Sequence, residues 1–595
     1  MKELLTLFPY LRRHAVPILW GLLLVVLANA FTLAPPYFIK RGIDALSQAG
    51  AARGDVLTFA ILVIITAVLG GAARYGMREL LNGVSRKVEF DLGNDLFRHL
   101  VRLDAPFYGR TPTGDIMSRM TNDLSAVRMA AGPAYMYLVN TLVGTIIALS
   151  MMVWIDARLT LVSILPMLAL PPVTVGFGQI IHLRFEKIQE QLAALSTMAQ
   201  ENLSGIRIVK AYGREGQQVE RIRELSEEYL ERNMGLARVS GLFHPVLALF
   251  SGFAMVVALL AGGRAVMRGE ISVGDFVAFT LYLGMLSWPM IALGWVVNLF
   301  QRGAASMARI NRILAEQPKV SDPAEPVTIG EIRGEVEFRD VAFTYPGSER
   351  PILSGISFHL PAGKMLAIVG ATGSGKSTLV ALLARLYDPT SGEVLLDGVP
   401  IRELSLEEVR AAIGVVPQDA FLFSDSIREN LALGVSGGDA AARDERVSWA
   451  AGIAQLDRTI DRLPAGYDTL LGERGVNLSG GQKQRATLAR AIARDPKVLV
   501  LDDALSAVDT HTEAEILAGL RGVLRDRTSV VVSHRVSAVM GADQIVVLDD
   551  GRVVESGTHA DLLQSGGVYA ALLHRQLLTE DVEQEGALAS GEDRI

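Results

Sequence analysis

MLAIVGATGSGKS, residues 365–377, decides the fold of the C-terminal half. Met365 to Val369 is a short apolar run bounded by glycine, as a buried strand would be. Gly370, Ala371, Thr372, Gly373, Ser374 and Gly375 follow as a glycine-rich turn, and Lys376, Ser377 and Thr378 open a helical run. Strand, G-x-x-x-x-G-K-S and helix in that order form the phosphate-binding loop pattern. The glycines let backbone N–H groups converge on a β-phosphate, and the helix N-terminus adds its dipole. Lys376 is then placed to reach the β and γ oxygens, and Ser377 to ligate magnesium. A second apolar run, Val498 to Leu501, leads into Asp502, a carboxylate suited to hold that metal from an adjacent strand end. Val336 to Tyr345 alternates as an edge strand does. From Glu335 onward the pattern is therefore α/β.

Outward from this domain, Gln317 to Gly334 carries Pro318, Pro323 and Pro326 and reads as a linker (317–334), and the tail 579–595 is acidic and poor in aromatics, as disordered chain is. The first 316 residues are different. Over all 595 residues half are hydrophobic and only 20% charged, and the mean hydropathy is +0.31. That balance places part of the chain in lipid. Six uncharged runs are long enough to cross about 30 Å of hydrocarbon: His14–Ile39, Val56–Ala73, Met129–Ile155, Leu159–Ile181, Val239–Gly263 and Phe276–Gln301. The intervals 74–128 and 184–238 each hold 55 residues and nine Lys or Arg, whereas the other gaps are short. The positive-inside rule puts both intervals, the N-terminus and the α/β domain in the cytoplasm of a multi-pass inner-membrane protein. Mixed apolar and charged residues at helical spacing make the intervals helical extensions of the spans, turning at Pro106, Gly109, Pro112 and Gly114 in the first and at Gly205 and Gly213 in the second. Met1 to His14, basic and amphipathic, reads as an interfacial helix, not a cleaved leader. A net charge of −7 speaks against nucleic acid as a partner. With no cysteine and no metal spacing among nine histidines, thiolate chemistry and a dedicated metal centre drop out.

Between the loop and Asp502 stands Leu478, Ser479, Gly480, Gly481, Gln482. No general phosphate-loop argument asks for it, and it resembles the LSGGQ signature of ATP-binding cassette (ABC) proteins. Tyr345 is similar to that family's adenine-stacking aromatic, Gln418 to its Q-loop glutamine, Gly472 to Gly475 to the exporter motif ahead of the signature, Ser506 to Asp509 to the D-loop and His534 to the switch histidine. Six spans, two long cytoplasmic intervals and a cassette (335–578) look like an ABC exporter half-transporter.

The resemblance implies ATP and Mg2+ as cofactors and a dimer in which two cassettes face head to tail. Nucleotide on Gly370, Thr372 to Thr378 and Tyr345 would be closed over by the partner's signature, while Ser479, Gly480, Gly481 and Gln482 here complete the partner's site. Ser377, Gln418 and Asp502 would attend the metal, and His534 the γ-phosphate. One position departs from the family pattern: where active ABC ATPases usually carry a glutamate that polarises the lytic water, this chain has Asp503. Its carboxylate sits about 1.5 Å short, while a base must come within roughly 3 Å of its proton. With the other motifs intact, the resemblance implies the weak-site member of a heterodimer; a homodimer in which the backbone shifts to let Asp503 serve is the other reading.

The six runs hold no Asp, Glu, Lys or Arg, which disfavours proton coupling. They offer Trp20, Phe31, Tyr135, Tyr137, Phe177, Phe250, Met285, Trp288 and Trp295 with Asn140 and Asn298, a lining that can repack around hydrophobic or amphipathic small molecules; about a third are expected to face a cavity and the rest lipid or other helices. Exporters of lipids or peptides, importers and nucleotide-gated channels share the architecture, though no long regulatory insert favours a channel.

Overall fold

The structure, a computed structural model, describes residues 2–47, 53–435, 437–506, 508, 510–524, 527–533 and 539–576. The chain divides into two compact units: Met1–Arg102 with Pro112–Glu316, and Leu103–Thr111 with the chain from Gln317 onward. The acidic tail, His534 and the D-loop positions 507 and 509 lie outside the described residues.

Among its described residues the first unit consists of helices and the turns between them. Among the described residues five helical stretches are long and apolar enough to cross a membrane: Ala15–Leu46, Val56–Arg102, Thr113–Ile155, Ala157–Ser204 and Glu215–Met267. The sixth run lies in the helix Val273–Ala315, of which Val273–Leu286 is the apolar stretch found among the described residues, shorter than a span. Glu215–Met267 is one 53-residue helix, about 80 Å long, where the hydrocarbon needs about 30 Å. Its remainder therefore continues outside the bilayer, as the mixed pattern of 184–238 requires. Prolines interrupt the first and fourth runs: Pro35 and Pro36 start a new helix after Leu33, and Pro166 coincides with a 3-10 turn at Leu165–Ala169. Trp20, Leu161 and Leu165 stand exposed, as side chains bathed in lipid do.

The second unit contains two sheets. The smaller has the order β2-β1-β4-β5, with β1 (Val336–Phe343), β2 (Leu353–Leu360), β4 (Ser391–Leu396) and β5 (Val399–Pro400) antiparallel. β1 is thus not an edge strand: it pairs with β2 on one side and β4 on the other. Alternation reports one buried face, not how many neighbours a strand has. The larger sheet runs β10-β9-β3-β8-β7-β6, built from β3 (Met365–Gly370), β6 (Ile413–Val416), β7 (Val498–Asp502), β8 (Thr528–Val532), β9 (Gln544–Asp549) and β10 (Arg552–Gly557). Its β3, β6, β7, β8 and β9 are parallel and only β10 is antiparallel. β7 and β8 are buried at every position, which is why they read as unbroken apolar runs. Phe338 and Phe358 stack at 4.6 Å inside the core shared by the two sheets.

Leu103–Thr111, the turn of the first 55-residue interval, packs within this second unit. Asp104 caps its short helix through the N–H of Phe107, and the other carboxylate oxygen accepts from the backbone N–H of Lys319 and Val320. The turn of the second interval, Ile206–Ala211, lies between Gly205 and a left-handed Gly213 at φ 59°. Ile208 and Tyr212 there are 65% and 76% exposed.

Candidate nucleotide site

Parallel strands that end at one edge bring their following loops together. β3 ends in Gly370, and the helix Lys376–Leu383 starts after Gly375, whose φ of 102° is left-handed. A Cβ at Gly375 would lie 2.6 Å from Leu353 Cδ2, and one at Gly370 2.2 Å from the Leu548 carbonyl oxygen. Both positions are closed to other residues, so no side chain grows from the loop there; within it the Ser374 N–H donates to the Ala371 carbonyl at 3.2 Å.

The loop borders a cavity of about 610 Å3 whose walls include Thr372, Lys376, Ser377, Gln418, Asp502 and Asp503. Lys376 Nζ folds back to donate to the carbonyls of Gly370 at 2.9 Å and Ala371 at 2.8 Å. Burial pushes its ammonium pKa down, against the attraction of Asp502 and Asp503. Asp502 is 6% exposed. Burial raises its carboxyl above the usual range and the charge of Asp503 adds to this, while a hydrogen bond from Ser377 and the charge of Lys376 oppose it. The sequence reading put Asp502 on the strand adjacent to the loop, but β8 lies between β3 and β7. The two still border one cavity, Ser377 from the helix that follows the loop and Asp502 from the end of β7.

Asp503 adopts left-handed backbone, φ 50°, with its N–H donating to the Val532 carbonyl at 2.8 Å. Aspartate is among the few non-glycine residues enriched in that conformation. Gln418 reaches the cavity from the segment after β6. Tyr345 does not line the cavity: its ring meets Phe343 and Tyr387 edge-on at 4.9 and 5.4 Å, and its hydroxyl pairs with Thr378 Oγ1 at 3.0 Å. Sequence reasoning missed Ile352, Val532 and Ser533, which complete the wall. Ser533 could have been flagged as the neighbour of His534; nothing local marks Ile352.

The signature residues stand apart from this cavity. Ser479 caps the helix Gly480–Ala493 in a reciprocal box, its Oγ accepting from the N–H of Gln482 and its own N–H donating to Gln482 Oε1 at 2.9 Å. Leu478 is buried, while Ser479 and Gly480 are exposed at that helix N-terminus. Gln484, one turn on, donates to Ser506 Oγ at 3.0 Å, tying the signature helix to the start of the D-loop.

The residues present fit magnesium and a nucleoside triphosphate. Backbone amides at a helix N-terminus and an ammonium suit phosphate oxygens. The hydroxyl–carboxylate pair of Ser377 and Asp502 suits a hard cation, and the raised Asp502 carboxyl is the group such a cation would relieve. Ser374 Oγ, buried in the loop, has no hydrogen-bond partner among the described residues.

Two family models match the chain, "ABC transporter transmembrane region" at residues 18–290 and "ABC transporter" at 353–506. The chain is 38% identical to the multidrug resistance-like ATP-binding protein MdlA of Escherichia coli, over 96% of each chain. It is 37% identical to an ATP-dependent lipid A-core flippase of Aromatoleum aromaticum, over 88% of this chain and 86% of that one. A bacterial Atm1-family ABC exporter solved with ATP bound superposes with a TM-score of 0.77 at 32% identity, covering 95% of this chain and 99% of that one. A helical membrane region, a cassette that collects its phosphate loop and acidic strand end in one cavity, and relatives aligned along nearly the whole length together make the chain a member of the ABC transporter family, of the exporter type that couples ATP hydrolysis to transport.

Proposed function

We propose that this chain is one half of a heterodimeric exporter that carries hydrophobic or amphipathic compounds out across the cytoplasmic membrane, and that its own ATP site hydrolyses weakly. The observation that carries the reading is Asp503, which borders the same cavity as Asp502 and Lys376 where a longer base would serve. Left-handed backbone at 503 suits aspartate, so the short side chain agrees with its local geometry. The relatives named for multidrug resistance support a broad amphipathic substrate range.

In this reading residues 1–316 form the membrane domain, 317–334 the linker, 335–578 the cassette and 579–595 a tail. When bound, magnesium ATP supplies the anhydride whose cleavage drives transport. Lys376 would exchange the carbonyls of Gly370 and Ala371 for phosphate oxygens, and the loop Gly370 and Thr372 to Ser377 would cradle the phosphates, with Thr378 and Tyr345 beside it. Ser377, Asp502 and Gln418 would hold the metal, and His534 would meet the γ-phosphate. Ser479, Gly480, Gly481 and Gln482 act on the nucleotide of the other half-transporter.

Expressed alone, the chain is expected to bind ATP without ordinary multiple turnover; co-expressed with a half-transporter carrying glutamate at the matching position, it should purify one-to-one and hydrolyse. Brisk turnover by the chain alone would favour a homodimer. ATP-dependent accumulation of a labelled amphiphile in inverted vesicles would support export over import or channel gating.

A further inference from the structure

A cavity of about 400 Å3 opens in the helical unit, beside the Ala73 end of the second apolar run. That is within the size range of sites for drug-sized ligands. Its walls include Asn29, Arg74, Arg78, Tyr137, Asn140 and Trp288. The six runs contain no charge, yet the second run continues as one helix, Arg53–Arg102, and its next turn and a half carries Arg74 and Arg78 into the same space.

The two guanidinium groups stand four residues apart on one helix face, where like charges repel. Arg74 donates to Thr32 Oγ1 at 2.8 Å, and among the described residues neither arginine has a carboxylate within ion-pair distance. Two guanidinium groups that share one cavity with no carboxylate beside them form a site suited to an oxyanion. The floor is polar and fixed: Asn29 Nδ2 donates to the Val25 carbonyl at 2.8 Å and to Asn140 Oδ1 at 3.0 Å. A Cβ at Gly144 would sit 2.8 Å from Asn29 Oδ1, so that glycine leaves room for the amide pair. Trp288 adds an exposed apolar face on the same cavity.

We infer that this cavity binds the anionic head of an amphiphile, with Arg74 and Arg78 holding a phosphate, sulfate or carboxylate and Tyr137 and Trp288 flanking its apolar part. Guanidinium forks match such oxyanions two bonds at a time, and the anion removes the repulsion between the arginines. The inference deepens the export reading by naming the substrate's charge, and rests on that reading only for what happens after binding.

The test measures binding of labelled dodecyl phosphate and dodecyltrimethylammonium to the purified dimer in phosphatidylcholine nanodiscs, without ATP. Wild type should prefer the phosphate, and Arg74→Gln with Arg78→Gln should weaken it about ten- to hundredfold. Arg74→Glu with Arg78→Glu should reverse the preference, and the paired Lys variants should keep it, which a purely structural role would not predict. Inorganic phosphate alone should not compete at the same concentration. Equal binding of the two probes by wild type, retained anion preference in the Glu pair, or competition by inorganic phosphate would each overturn the inference. Binding without ATP-driven transport would instead sink the export reading and leave this one standing.

Discussion

Two faces of the same cassette differ in what they can finish. The phosphate loop, Asp502, Asp503 and Gln418 converge on one cavity within a single chain. The signature does not: Ser479 and Gly480 are exposed at a capped helix N-terminus, away from that cavity. A helix N-terminus with bare donors is an anion site in need of an anion, and no phosphate loop of this chain brings one to it. The turns of the two long intervals repeat the contrast. Leu103–Thr111 is tied into the second unit by the Asp104 carboxylate, while Ile208 and Tyr212 of the second turn remain exposed. A chain that completes one of each pair is built to act as a dimer.

The largest effect should come from the face the chain cannot use itself. Ser479→Arg, which removes a cap and places bulk and charge where γ-phosphate charge is met, is expected to cut hydrolysis by the assembled dimer about 10²- to 10³-fold. Unchanged ATPase would erase the distinction between the faces.

Lys376→Ala attacks the other face. It should weaken nucleotide at this chain's cavity about ten- to hundredfold, read as loss of photo-labelling by an azido-ATP on this chain while the partner stays labelled. Equal labelling of both chains would remove Lys376 from the site.

The third effect is set by pH. Because the folded-state pKa of Asp502 is raised, the folded protein holds that proton more tightly than the unfolded chain, and ionisation above the raised value costs stability. Magnesium competes with the same proton. Its affinity and its stabilising effect should be full above the raised pKa and fall as pH drops through it, by at most about tenfold per pH unit. The measurement is the magnesium-dependent shift in the unfolding midpoint at several pH values, and Asp502→Asn should flatten it. A shift independent of pH would dismiss Asp502 as the cation's ligand.

Asp503 should matter least. Asp503→Asn is expected to change dimer ATPase by less than about twofold, and Asp503→Glu to raise it by no more than about twofold, the ceiling when a second site begins to fire. Glutamate tolerates left-handed backbone less well than aspartate, which keeps that gain below the ceiling. Abolition of hydrolysis by Asp503→Asn would make Asp503 the base and favour the homodimer.

What could be read along the chain is what is contiguous along the chain. The phosphate loop is eight consecutive residues and a membrane span one uninterrupted run, and each carries its physical reason within itself, so the helical membrane region and the α/β cassette were legible in the sequence; the five-residue signature was legible only through the family it resembles. Asp502 could be named because it ends a recognisable strand, and Gln418 only through the family the chain resembles. Tertiary structure decided what depends on distant partners. That β8 separates the loop from Asp502, and that β1 is flanked on both sides, follow from strand order, which alternation cannot encode. Tyr345 was claimed by Phe343, Tyr387 and Thr378, and Lys376 by its own loop carbonyls. Of the aromatic, Met and Asn side chains picked from the spans, Tyr137, Asn140, Met285 and Trp288 reach the cavity, and the arginines that give it charge lie just past the end of an apolar run. A hydropathy run ends where the charges begin, but a helix does not, and only the packed helices show which face those charges share.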